Sequence, residues 1–85
     1  MTVLAFLATV FGIIAGLGNV PQTIKIFRRK SAKDISIISY SIFFIGAVIW
    51  FLYGIELGNV VIALVNAIGG LAIFSVIVGW FLYGR

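Results

Sequence analysis

Three long apolar stretches, separated by short polar connections, make up nearly all of the 85-residue chain. The first runs from about Val3 to Ile24, the second from Ile35 to Ile55, and the third from about Val60 to Tyr83. At about 1.5 Å of rise per helical residue, each extends roughly 30 Å, enough to cross the hydrocarbon core of a bilayer. Helix is the expected conformation. Three short segments cannot close a β-barrel, and lipid offers no partner to an unpaired N–H or C=O. The first stretch differs from a secretory signal, because residues 1–18 carry no charge and no A-x-A cleavage site follows. It is expected to remain as a span, so residues 1–85 read as a single all-α domain of three transmembrane helices.

The connections between the spans are unequal. Residues 25–34, Lys25-Ile26-Phe27-Arg28-Arg29-Lys30-Ser31-Ala32-Lys33-Asp34, form a basic loop holding five of the six Lys+Arg residues. Spans two and three are joined by Glu56-Leu57-Gly58-Asn59 alone. The positive-inside rule then places the basic loop and the C-terminus in the cytoplasm, with the N-terminus and the Glu56 loop outside. Between two membrane helices, such a cluster reads as a topology signal that also meets anionic lipid headgroups, and not as a nucleic-acid site.

Composition agrees: 64% of residues are apolar and 9% charged, against roughly 45–50% and about 25% in soluble domains. Histidine and cysteine are absent, which removes Ser-His and Cys-His catalytic pairs and disulfides and leaves no basis for a metal or cofactor site. The serines and tyrosines lack a base partner, so the chain does not read as an enzyme.

Polar groups inside a span are costly, which makes their positions informative. In span one they gather as Asn19-Val20-Pro21-Gln22-Thr23, just after Gly16 and Gly18. Pro21 has no N–H for the carbonyl of Leu17 and its ring crowds that turn, so a bend is predicted and Pro21 and Gln22 become candidate hinge residues. Ala8, Gly12 and Gly16 in span one, and Ala63, Ala67, Gly69 and Gly70 in span three, read as packing faces and not as a site. Asp34 or Ser36 is the expected N-cap of span two. Trp50-Phe51-Leu52-Tyr53-Gly54 recurs as Trp80-Phe81-Leu82-Tyr83-Gly84. Trp80 and Tyr83 read as an interfacial aromatic belt, whereas Trp50 sits too far from its helix end for that role.

Span three carries Asn66 at mid-membrane, with Asn59 two turns earlier. In span two, Trp50 shares a face with Phe43 and Tyr53. An indole plate beside an amide suits a sugar: the ring covers apolar C–H patches while the amide both donates to and accepts from hydroxyls. With no Asp, Glu, Lys or Arg in the membrane interior, the expected ligand is a neutral polar solute. Three helices leave little room for a solute path, so a second copy of the chain is expected. Two chains about an axis along the membrane normal would give a six-helix parallel homodimer.

Pro21-Gln22, the basic loop, Asp34-Ile35-Ser36, Trp50, Tyr53-Gly54 and Asn66, in this order and at these distances, resemble the SemiSWEETs. These are the bacterial half-size members of the SWEET and PQ-loop transporter group, and the resemblance spans essentially the whole chain. It implies a three-helix bundle with spatial order one-three-two in a bacterial inner membrane, working as a homodimer that moves mono- or disaccharides by alternating access, a uniport down their gradient. On the matching positions Trp50 and Asn66 would bind sugar, Pro21 and Gln22 would form the hinge, and Tyr53 would belong to the outer gate. Relatives can close that gate with an Arg/Asp pair where this chain has Leu57 and Asn59, so Asn59 and packing would take over. Phe43 is expected to plug the cytoplasmic side, from its helical phase. Competing readings are an amino-acid carrier of the PQ-loop group, which would be expected to use an acidic membrane residue, a small holin-like pore-former, and a purely structural membrane subunit.

Overall fold

The computed structural model describes residues 2–84. Span one is two helices, α1 (Val3–Leu17) and α2 (Val20–Arg29), followed by α3 (Ile37–Leu57) and α4 (Val60–Tyr83). Taken through its bend, the first span covers Val3–Arg29, and all three spans are long and apolar enough to cross a membrane.

Helix ends follow local chemistry. The Thr2 hydroxyl accepts from the Ala5 N–H at 3.0 Å to start α1, and Ser36 accepts from the Ser39 N–H at 3.2 Å to start α3. Ser36, not Asp34, is therefore the cap of span two. Asn59 Oδ1 accepts from the Ile62 N–H at 3.1 Å and opens α4. Gly58, at φ 66°, ends α3 in the left-handed region where a Cβ would be strained.

The first helix breaks upstream of Pro21. The Gly18 N–H is shared between the carbonyls of Ile14 and Ala15, and the Asn19 N–H turns back to Gly16 at 3.3 Å, tightening the chain before α2 begins. Pro21 is the second residue of α2, where a missing N–H costs nothing.

The basic stretch is less of a loop than its charge predicts. Helix α2 continues to Arg29 and ends at Lys30 in a left-handed conformation, φ 53°. Lys25, Arg28 and Arg29 occupy its exposed side while Ile26 is buried, and Arg28 and Arg29 meet the negative end of the helix dipole.

Helix α4 is the middle helix. It packs against α1, α2 and α3, whereas α3 barely touches the first span, which gives the spatial order one-three-two. Glycines set the spacing. A Cβ on Gly16 would lie 2.9 Å from the Gly69 Cα, and one on Gly54 would lie 2.6 Å from the Ala63 backbone N. Gly69 thus faces α1, while its neighbour Gly70 turns to Ala47 of α3. Ala8 was an expected member of this packing stripe, but it is exposed.

The molecule is a slab of 44 × 22 × 13 Å, long enough for a bilayer and about one helix thick. Its buried core lies at the basic end: Ile26 is 1% exposed, and Ala32 and Val76 are both 0% exposed. Trp80 and Tyr83, expected as an interfacial aromatic belt, also pack onto this core, which the sequence did not suggest. Tyr83 meets Phe27 edge-on at 5.5 Å, and its carbonyl accepts from the Ala32 N–H at 3.4 Å.

Candidate functional site

Above the core, the three spans diverge around a cavity of about 530 Å³, within the size range of small-molecule sites. Helix α3 contributes Phe43, Gly46 and Trp50, helix α4 contributes Val65, Asn66 and Gly69, and helix α1 contributes Gly12 and Gly16. No charged residue is among those lining it. Gly12, Gly16 and Gly69, read from the sequence as packing positions alone, therefore also form cavity wall. Where these helices touch, the small residues allow close approach; beside the contact, the same lack of side chain leaves space.

Trp50 and Asn66 come together on this cavity from different helices. Trp50 is 53% exposed, held edge-on by Tyr53 with ring centroids 5.7 Å apart and planes at 77°. About half of the residue's surface is therefore open, with Tyr53 steadying the ring from one side. Asn66 Nδ2 donates to the Ile62 carbonyl at 2.8 Å. This fixes the amide and leaves one N–H and the carbonyl oxygen available to a ligand. An apolar plate and an oriented donor–acceptor pair can hold a hydroxylated ring, and an ion would find no counter-charge here.

The remaining expected site residues fall around that centre. Phe43 lines the cavity towards the basic end and meets Tyr40 edge-on at 5.9 Å. Tyr53 lies beyond Trp50, towards the α3–α4 turn. Asn59 is not a cavity-lining residue; its side chain caps α4 in that turn. Pro21 and half-buried Gln22 sit in the first turn of α2, directly after the break in span one.

A group of hydrogen bonds around that break did not come from reading the sequence. Tyr40 Oη donates to Asn19 Oδ1 at 3.3 Å, and Asn19 Nδ2 donates to the Gly16 carbonyl at 3.3 Å. The Thr23 and Ser75 hydroxyls lie 2.6 Å apart, each also within hydrogen-bonding distance of a backbone carbonyl of its own helix or turn, Asn19 and Ala72 respectively. Asn19 and Tyr40 stand at similar distances either side of the basic turn, and so at similar depth. That symmetry was the available signal.

Comparisons with known proteins identify relatives of the chain and of its fold. Residues 2–85 match a family described as "Sugar efflux transporter for intercellular exchange". A sugar transporter SemiSWEET of Leptospira biflexa is 38% identical over 66 residues, covering 78% of this chain and 69% of the relative. Its namesake in Bradyrhizobium diazoefficiens is 31% identical over 64 residues, covering 75% and 74% respectively. The crystal structure of a bacterial homologue of SWEET transporters superposes with a TM-score of 0.89 at 30% identity, over 98% of this chain and all of the other. Three membrane-length helices in the one-three-two order, an uncharged cavity, a family match over residues 2–85 and two SemiSWEET relatives lead to one assignment: this multi-pass membrane protein belongs to the SemiSWEET branch of the SWEET family.

Proposed function

We propose that the chain carries a neutral mono- or disaccharide across a bacterial inner membrane by facilitated diffusion. The observation that carries this reading is the convergence of Trp50 and Asn66 on one cavity with no charged lining residue. Both curated relatives are named as sugar transporters, which supports the substrate class.

In this reading Trp50 stacks on the sugar ring and Asn66 bonds its hydroxyls. Two chains pair across the open side of the cavity, between α1 and α3, because a hydroxylated solute left facing lipid there would carry unpaired hydroxyls in hydrocarbon. The pair exposes its cavity alternately to each side. Bending at Pro21 and Gln22 accompanies opening, Phe43 obstructs the basic end, and Tyr53 with Asn59 closes the other. The five basic residues at 25–33 lie in the cytoplasm against anionic headgroups, and the N-terminus faces outward.

Uptake into proteoliposomes tests the proposal. The wild-type protein is expected to give saturable flux of one or more members of a sugar panel, with Trp50→Ala and Asn66→Ala inactive at unchanged dimer content. A pH gradient should not drive accumulation. Normal uptake by Trp50→Ala would overturn the site, and unselective leakage of ions and dyes would overturn transport in favour of a pore.

A further inference from the structure

Tyr40 stands one helical turn closer to the basic end than Phe43, and Asn19 stands just beyond Gly16. Phe43 and Gly16 line the cavity on α3 and α1 respectively. The hydrogen bond between Tyr40 Oη and Asn19 Oδ1, 3.3 Å long, therefore crosses between spans one and two immediately below the cavity floor. Among the described residues it is the hydrogen bond that joins α3 to the first span, two elements that otherwise barely pack.

Asn19 is also where the first span breaks. Its backbone N–H and its Nδ2 both donate to the Gly16 carbonyl at 3.3 Å, and its own carbonyl accepts from the Thr23 backbone N–H at 3.2 Å and from the Thr23 hydroxyl at 3.3 Å. The Tyr40 ring, for its part, supports Phe43 edge-on. One hydroxyl therefore connects the break in span one to the aromatic floor of the cavity.

We infer that Tyr40 is a positioning residue: its hydroxyl latches α3 to Asn19 and holds the basic end of the cavity closed. This deepens the transport reading on which it rests. Parting α3 from span one at this end requires the bond to break, whereas opening at the α3–α4 turn leaves it intact. A structural hydroxyl would tighten the protein equally towards both faces. A latch biases access from one face alone.

The absence of cysteine makes a direct test possible. Gly46 lines the cavity, and a Cβ placed there meets no atom within 4 Å, so Gly46→Cys provides a reporter. Labelling by a membrane-impermeant maleimide is measured in vesicles of both orientations, with and without Tyr40→Phe. Removing one interhelical hydrogen bond is expected to raise labelling from the basic-turn face about three- to tenfold, with no rise from the opposite face. Asn19→Ala, which also removes the Nδ2 bond to the Gly16 carbonyl, should give a one-sided rise at least as large, and adding Tyr40→Phe to it should change nothing further, because the bond they share is already gone. Equal rates with and without Tyr40→Phe, or an equal rise from both faces, would overturn the latch. Sugar exchange by the wild-type protein is recorded in parallel. One-sided labelling without sugar flux would keep the latch and remove the transport reading, while flux with unaltered labelling would do the reverse.

Discussion

Two glycines eight residues apart on α3 should respond to the same substitution with opposite sign. A Cβ on Gly54 would lie 2.6 Å from the Ala63 backbone N, 3.0 Å from Ile62 Cγ2 and 3.1 Å from the Ala63 Cα. The obstruction is largely the main chain of α4, which cannot rotate away as a side chain would. Relieving it means moving two helices apart by about 1 Å to reach ordinary van der Waals separation. They cannot separate freely, because the turn between them is short and the Asn59 N–H donates to the Gly54 carbonyl at 2.8 Å. Overpacking of this kind costs about 1–3 kcal/mol. Gly46 meets no atom within 4 Å, so there Ala removes a flexible residue from a helix interior, with a gain of up to about 1 kcal/mol.

The assay is reversible unfolding in mixed micelles by a denaturing detergent, followed by helical circular dichroism. Gly54→Ala should unfold at lower denaturant fraction than the parent, and Gly46→Ala at the same fraction or higher. The Gly46→Ala methyl also enters the cavity beside Trp50, so that variant should lose sugar binding without losing stability. Equal destabilisation by both substitutions, or a neutral Gly54→Ala, would refute the close approach of α3 and α4 on which the reasoning depends.

The contact between α1 and α4 is similarly asymmetric. A Cβ on Gly16 falls 2.9 Å from the Gly69 Cα, but one on Gly69 finds the Gly16 Cα at 3.7 Å; Gly16→Ala should destabilise in the same titration and Gly69→Ala should be tolerated. Ile26 is 1% exposed beside Gly79, so Ile26→Ala should cost about 2–5 kcal/mol, read as the largest shift among these variants. Pro21→Ala restores an N–H at the second position of α2, and should slow sugar exchange in proteoliposomes more than it weakens binding. An unchanged exchange rate would reduce Pro21 to a fixed bend.

Hydropathy alone made the three spans legible, and the third runs from Val60 to Tyr83 as expected. The extension of α2 to Arg29 was hidden because charge dominates that segment, while the Ile26 that buries it is a single residue. Similar masking affected Trp80 and Tyr83. Their position at a helix end signals an interface, and nothing local shows that Ile26, Ala32 and Val76 gather beneath them. The middle position of span three came from the resemblance, although adjacent Gly69 and Gly70 held a physical sign of it. Neighbouring residues on a helix point about 100° apart, so two adjacent small residues can admit a helix on each side. Trp50 and Asn66 were legible as chemistry, since an amide and an indole away from a span's ends need explaining. The Tyr40–Asn19 pairing was not, because which polar group meets which depends on how the spans pack.

The distribution of burial carries an argument about assembly. The tight contacts around Ile26, Ala32 and Val76 hold one end of the slab together, while the walls bearing Trp50 and Asn66 enclose the cavity only partly within a body about one helix thick. A hydroxylated solute there would face lipid tails on the open side, and its unpaired hydroxyls would each cost free energy in hydrocarbon. A second chain applied to that side supplies a further Trp50 and Asn66 and excludes lipid, which is the physical ground for the proposed homodimer. Sugar binding should consequently follow the dimer and not the protomer. On dilution in detergent, the sugar-dependent change in tryptophan fluorescence should fall in step with the dimer fraction measured by light scattering. An undiminished response from material shown to be monomeric would mean that one protomer completes the site, and the argument for pairing through the open face would fail.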